Sequence, residues 1–166
     1  MKNFQSAMKL LPLAIALVLA LETIAPSQEP GLDVPFETIQ KHVLSNMDQN
    51  KSIVITNEDD WQALWQSLYS GLGPTLPHID FSQKMVIAIL RGQTAPLNIS
   101  IKRLDRKGKV LTVFAEETLY NPACAYPAVV TRPYHIIVTE KVKKKVRKNI
   151  SFEIEQVIDK SCVKAP

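Results

Sequence analysis

The segment KMVIAILRG, residues 84–92, constrains the fold of this chain most strongly. It is a continuous apolar run that is too short for a typical helix, and turn-forming residues bound it. Such a run is typical of a central strand that is buried on both faces. We therefore predict a β-strand in the interior of the domain.

A β-hairpin is predicted immediately after this strand. Residues 97–104, LNISIKRL, alternate, so that Leu97, Ile99 and Ile101 face one way and the intervening polar residues face the other. The charged turn at 105–109 offers Gly108 for a positive φ, and VLTVFAEE at 110–117 returns. Further strands are predicted at 36–43, 52–56 and 151–158. In the last of these, Phe152 and Ile154 are expected to face inward.

One amphipathic helix is predicted over residues 57–71. Asn57 suits the N-cap, acidic residues fill the first turn, and Gly71 sits where a helix would stop. The apolar side chains recur at helical spacing and form one continuous face, which comprises Trp61, Leu64, Trp65, Leu68 and Tyr69. The predicted class is α+β, with this helix packed on a mostly antiparallel sheet of short sequential strands.

The N-terminus has the three-part pattern of a secretory signal peptide, which we place at residues 1–20. The apolar run from Leu10 to Leu21 has 12 residues, fewer than the roughly 20 that span a bilayer. Residues 21–35 contain prolines and a glycine without an apolar period and are interpreted as a linker, so the domain is expected at 36–166. The chain is therefore expected to be exported, to the periplasm, the cell envelope or the medium, and an uncleaved anchor is the alternative.

Two cysteines, Cys124 and Cys162, have one possible pairing in an oxidising compartment. We expect a disulfide that ties the C-terminal tail to the segment around Cys124. Two independent free thiols are the alternative.

No catalytic or metal-binding motif is evident. The three histidines, His42, His78 and His135, do not have the spacing of a metal site, and no nucleophile elbow, phosphate loop or dinucleotide fingerprint is present. Glu116 and Glu117 are neighbours that point to opposite faces of a strand. The sequence therefore predicts no metal, no cofactor and no enzymatic activity, with a small histidine-dependent hydrolase as one alternative.

The run KVKKKVRK, residues 141–148, is interpreted as a solvated hairpin tip between two strands, with Val142 and Val146 holding its ends. Nucleic acid is not expected as a partner, because no aromatic residue interleaves the cations. The alternative is contact with an anionic membrane surface through the cations of this run, Lys141, Lys143, Lys144, Lys145, Arg147 and Lys148.

Loops rich in proline and glycine, such as RGQTAPL at 91–97, are typical of a module that works by loop contact. In the segment PAVVTRPYHIIVTEK at 127–141, Pro133 suits the start of a strand. The pleat then separates His135 from Tyr134, so no local reactive cluster is expected. Arg132 and Tyr134 can serve as contact anchors, whereas the alternative is that Tyr134 belongs to the core and Arg132 is merely solvated.

The order of the predicted helix, strands and loops resembles that of the C-terminal domain of PrcB-type proteins, which are accessory subunits of a bacterial surface protease complex. The resemblance covers about 53–141 and rests on the W-x-x-x-W helix, IDFSQKMVIAILRG and TRPYHIIV. The chain departs from the family pattern at QTAPLNIS, where a glycine-glycine-tyrosine stretch is expected. The resemblance implies a non-catalytic exported domain that binds and steadies a protein, with contacts from two loops that include Arg91, Gly92, Gln93, Thr131, Arg132, Pro133 and Tyr134.

The sequence thus favours a protein-binding domain that stabilises or escorts a partner, which the resemblance suggests is a protease. A protease inhibitor that presents proline- and glycine-rich loops is the first alternative. A hydrolase that uses a histidine is the second.

Overall fold

A computed structural model of the chain describes residues 31–70, 73–92 and 96–161. The predicted signal peptide, most of the predicted linker, Gly71, Gln93 and Cys162 lie outside these residues. The described chain forms helix α1 (Glu58–Tyr69), the short helix α2 (Lys144–Arg147) and the strands β1 (Leu32–Asp33), β2 (Phe36–His42), β3 (Lys51–Ile55), β4 (Lys84–Leu90), β5 (Asn98–Lys107), β6 (Val110–Leu119), β7 (Tyr134–Glu140) and β8 (Ile150–Ile158).

The strands form two four-stranded sheets. The central sheet has the order β2-β7-β4-β3, and all of its neighbours are antiparallel. The outer sheet has the order β1-β5-β6-β8, in which β8 runs parallel to β6. The predicted α+β class with mostly antiparallel strands is confirmed, and the strands divide into two sheets rather than one.

Strand β4 is buried on both faces, as predicted. Val86 and Ala88 on one face belong to a core cluster that includes α1, and Ile87 and Ile89 on the other face pack with the outer sheet. The molecule therefore has three layers, with the central sheet between the helix and the outer sheet. The predicted stripe of α1 covers the central sheet through its buried side chains, Trp61, Leu64, Trp65 and Leu68.

The ends of α1 follow from its capping residues. The Asn57 side chain accepts the amide of Asp60 at 2.9 Å, which confirms the predicted N-cap. The helix ends at Ser70, which adopts a left-handed conformation with φ 50° and donates its amide to the Gln66 carbonyl. Both tryptophan indoles donate to proline carbonyls of the following segment, Pro77 and Pro74, at 2.9 Å each.

The predicted hairpin is formed by β5 and β6, with Gly108 at φ +56° in its turn. The register of the pair shifts between Ile101 and Arg103, which leaves Lys102 as a bulged residue. The bulge changes the alternation, so that Leu104 joins Ile101 in the buried cluster. The alternation predicted over 97–104 therefore holds only as far as Ile101.

Two sequence interpretations are corrected by the topology. Strand β1 pairs with β5 through Leu32 and Asp33, so the folded domain begins before Phe36, inside the segment interpreted as a linker. The basic run is not a hairpin tip, because β7 and β8 belong to different sheets. It is a crossover that contains α2, and Val142 and Val146 are buried beneath it in the core between the sheets.

Candidate functional site

The candidate site is the end of the molecule at which most of the long connections meet. Strands β2, β4, β6 and β8 end there, and β3, β5 and β7 begin there, as the pairings of Lys51 with Leu90 and of Asn98 with Thr118 show. We call this region the loop end and define it as residues 43–50, 91–92, 96–97 and 120–133. It contains both loops that the resemblance to PrcB-type proteins points to.

A buried ion pair fixes the loop that follows β4. Arg91 Nε lies 2.9 Å from Glu117 Oε1, with side-chain exposures of 14% and 8%. The other carboxylate oxygen of Glu117 accepts a hydrogen bond from the Gln156 amide at 2.8 Å, and the Arg91 backbone amide donates to the Pro133 carbonyl at 2.8 Å. Arg91 therefore links the central sheet to the outer sheet and to Pro133, the residue that precedes β7.

Gly92 brings the loop after β4 against the loop after β2. Its amide donates to the Asn50 side chain at 2.8 Å, and a Cβ at this position would collide with the backbone carbonyl of Asp48. Only glycine permits so close an approach of two backbones. Gly92 is therefore a packing residue between two loops of the loop end.

Thr131 and Arg132 join the remaining loops. The buried Thr131 hydroxyl donates to the Pro96 carbonyl at 2.8 Å, and the Arg132 amide donates to the Val43 carbonyl at 2.9 Å. The Arg132 side chain is part-exposed, and its Nε lies 3.0 Å from Asp48 Oδ1. These contacts tie the loop 120–133 to both neighbouring loops.

Tyr134, one of the expected contact residues, is 1% exposed and belongs to the core beneath α1. Its hydroxyl lies 2.6 Å from that of Tyr69, and burial, followed by the hydrogen bond to Tyr69, raises the pKa of Tyr134. The structure thus agrees with the alternative that Tyr134 is a core residue. Arg132 retains solvent exposure at the loop end, and Gln93 lies outside the described residues.

His135 lies between the two sheets, on the opposite side of β7 from Tyr134, as the pleat predicts. Its Nδ1 accepts the Ile101 amide at 2.7 Å, so the proton sits on Nε2, which donates to the Thr38 hydroxyl at 2.9 Å. Burial, followed by the charge of Lys41, lowers the pKa of His135 to about 4. A neutral ring in this position satisfies the backbone amide next to the β5 bulge.

The other histidines lie elsewhere on the molecule. His42, at the end of β2, bonds with the Leu44 backbone through Nδ1, and His78 is exposed in the segment that precedes β4. His42 and His135 form hydrogen bonds with backbone groups and with the Thr38 hydroxyl. The hydrolase hypothesis stays a prediction.

Apolar side chains at the loop end were not singled out by the sequence analysis. Val43, Leu44, Val129 and Val130 are 41–58% exposed, although they are large and hydrophobic. They lie on two loops that the Arg132–Val43 hydrogen bond joins. A signal was available in the sequence, since the adjacent valines of PAVV fall in a proline-rich loop rather than in a strand.

A shallow cleft opens beside these residues, between β2, the loop that follows it and the C-terminal turn of α1. It has a volume of about 340 Å³. Its lining combines apolar and aromatic side chains with polar groups, among them Leu44, Leu68, Tyr69, Gln40 and His42.

The expected disulfide involves one described residue, Cys124, because Cys162 lies outside the described residues. The chain that leads to Cys162 is bound to the loop that carries Cys124. Asp159 accepts hydrogen bonds from Asn121 and from the Tyr126 hydroxyl at 3.1 and 3.0 Å, and donates its amide to the Leu119 carbonyl. This proximity favours the predicted pairing, which stays a prediction.

Within residues 31–70, 73–92 and 96–161, no group of histidine, cysteine, aspartate and glutamate side chains is arranged to hold a metal ion. None of the helices in this part of the chain is long and apolar enough to cross a membrane. No protein-family model, curated protein or solved structure matches the chain. The resemblance to PrcB-type proteins stays a prediction.

Two neighbouring glutamates provide a test of the buried ion pair. We expect Glu117→Ala to lower the free energy of unfolding by about 3 to 5 kcal/mol, because it leaves the Arg91 guanidinium buried without its counter-charge. Glu116, on the other face of β6, pairs with the exposed Lys102 at 3.1 Å. Glu116→Ala should therefore cost less than about 1 kcal/mol. Urea unfolding of both variants checks this, and equal losses would contradict the assigned geometry.

The buried ring of His135 predicts a specific pH dependence. Well above pH 6.5 the ring is neutral in both the folded and the unfolded state. As the pH falls from 6.5 towards about 4, the unfolded chain binds a proton that the folded chain excludes. The free energy of unfolding should therefore fall over this range, by up to about 3 kcal/mol from this residue.

The measurement is urea unfolding across that pH range for the wild type, His135→Gln and His78→Gln. We expect His135→Gln to flatten the pH dependence while His78→Gln, at an exposed site, leaves it unchanged. An identical slope in all three proteins would show that His135 is not the responsible group.

Proposed function

We propose that this chain is an exported, non-catalytic domain that binds a protein partner, a protease, through its loop end. The observation that carries the proposal is the exposure of Val43, Leu44, Val129 and Val130 on two adjoining loops. Exposed apolar side chains that cluster on one surface mark sites of protein interaction more often than scattered ones do.

The contacts at the bases of these loops reduce the conformational entropy that the loops would lose when a partner binds. Backbone and side-chain bonds from Arg91, Gly92, Thr131 and Arg132 hold the loops against one another. Loops that are ordered before binding lose less conformational freedom when a partner is bound. Most of the free energy that is gained by burying the apolar side chains at the loop tips can therefore contribute to affinity.

The cleft beside Leu44 supports the same surface. Its volume of about 340 Å³ and its aromatic lining from Tyr69 suit an apolar side chain of a partner. Polar groups in its lining, such as Gln40 and Asn46, can form hydrogen bonds with the backbone that carries that side chain. A partner that covers Leu44 would then bury the cleft and the valine pair together.

A protease is the partner class that we propose on the strength of the PrcB-type resemblance and the signal-peptide pattern. The resemblance spans about 53–141, which includes the loops that follow β4 and β6. A domain that binds with a fixed surface and no reacting group of its own would stabilise or escort the enzyme.

Inhibition of a protease is the second candidate, and one feature of the loop 120–133 favours it. Tyr126 and Thr131 anchor this loop on either side of Val129 and Val130, through bonds to the Asn121 amide and the Pro96 carbonyl. A fixed, exposed apolar pair between two anchors has the form of a segment that occupies a protease cleft. Titration into serine and cysteine proteases tests this, and stoichiometric loss of peptide cleavage would favour inhibition over escort.

We expect the substitutions Val129→Asp and Val130→Asp together to weaken partner binding by more than about tenfold, because they place charges in an apolar contact. The tagged full-length chain would be crosslinked in the native cell envelope, and the captured protease then purified for affinity measurements. Val110→Asp with Leu32→Asp is the matched control, because it adds the same charge at two side chains that are 42% and 65% exposed at the opposite end of the molecule.

The control should bind the purified protease like the wild type. Equal losses in both variants would refute the loop end as the contact surface. Failure to recover any protease reproducibly would count against the proposed partner class.

A further inference from the structure

Two separate segments bring lysines together at the end of the molecule opposite the loop end. One is the turn of the β5–β6 hairpin, and the other is the crossover that contains α2. They are adjacent because Leu111, just after the turn, pairs with Ile150, and its amide donates to the Asn149 carbonyl at 3.2 Å. We call this surface the basic end and define it by its exposed lysines, Lys107, Lys109, Lys143, Lys144, Lys145 and Lys148.

The lysines of the basic end are available to a partner. None of the ion pairs among the described residues includes one of them. The burial of Val142 and Val146 fixes the crossover to the core, which leaves its lysines on the outside. Of the other cations predicted for a membrane contact, Lys141 turns inward to the Phe81 carbonyl and Arg147 is half-buried.

Apolar side chains accompany these charges. Val110, the first residue of β6, is 42% exposed beside the hairpin turn, and Leu32 is 65% exposed on β1, which pairs with β5 at Arg106. Lysines next to exposed aliphatic side chains are typical of protein surfaces that lie on a bilayer, where charges meet headgroups and aliphatic groups enter the interface. Two exposed acidic residues also lie at this end, Asp33 next to Leu32 on β1 and Glu140 at the end of β7, and the six lysines outnumber them. The acidic first turn of α1 lies on the other side of the central sheet.

We propose that the basic end docks on an anionic lipid bilayer and so orients the loop end away from the membrane. The positive charge of the lysines favours an anionic partner. The exposed aliphatic side chains of Val110 and Leu32 favour a bilayer over a nucleic acid. Single-stranded nucleic acids stack their bases on aromatic side chains, and the two segments that carry these lysines, 107–110 and 143–149, contain no aromatic residue. The chain that precedes Leu32 also joins the domain at this end, since Leu32 pairs with Arg106.

The orientation has a functional consequence. Strands β6 and β8 both run from the basic end to the loop end, so the two surfaces lie at opposite ends of the same strands. A molecule that rests on lipid through its lysines would present Val129 and Val130 outward. The inference is independent of the proposed partner, since it depends on other residues.

The test is cosedimentation of the full chain with vesicles of phosphatidylcholine, alone or mixed with phosphatidylglycerol. The change in the ratio of binding to anionic and neutral vesicles, relative to the wild type, isolates the contribution of the substituted lysines, because the N-terminal segment with Lys2 and Lys9 is the same in every protein. We expect Lys144→Gln with Lys145→Gln to lower this ratio by about 25-fold, because each lysine near an anionic bilayer contributes about fivefold. Lys107→Gln with Lys109→Gln should have a similar effect.

The matched control removes the same charge at the other end of the molecule, through Lys51→Gln with Lys160→Gln. Both lysines are exposed there. The control should retain the wild-type ratio, and added salt should abolish the preference for anionic vesicles. An equal loss in the control, no preference for anionic vesicles, or tighter binding to single-stranded RNA than to the vesicles would each overturn the proposal.

Discussion

The central sheet must be covered on both faces, and the rest of the structure depends on this requirement. Strands β4 and β7 lie in the middle of that sheet and are buried on each side. Helix α1 covers one face and the outer sheet covers the other. Since the strands run between two ends, the connections among the layers collect at those ends, where the exposed apolar and basic groups are also found.

Most of the polar residues that the sequence suggests as functional have structural roles. Arg91 and Glu117 neutralise each other below the surface, and Thr131 holds a neighbouring loop. His135 accepts a hydrogen bond from the Ile101 backbone amide, which is buried between the sheets. A buried charge or polar group costs free energy unless it has a partner, and these contacts supply one. What the loop end offers a partner is therefore chiefly its aliphatic side chains and the part-exposed Arg132.

Much of the fold was predictable because burial leaves a local periodic trace in the sequence. The stripe of α1, the apolar run of β4 and the opposite directions of Glu116 and Glu117 all follow from the residue pattern. The sheet to which a strand belongs leaves no such trace, so the parallel pairing of β8 and the division into two sheets were not foreseen. The bulge at Lys102 and the bonds among the loops depend on register and on contacts distant in sequence.

The central functional claim is that the loop end is ordered before any partner arrives. Amide hydrogen exchange measured by NMR on the free protein tests it most directly at Arg91, Gly92 and Arg132, whose amides donate to Pro133, Asn50 and Val43. The account predicts that these three amides exchange far more slowly than in an unstructured peptide and approach the protection of the β4 amides. Exchange at the rate of an unstructured peptide at these positions would contradict it.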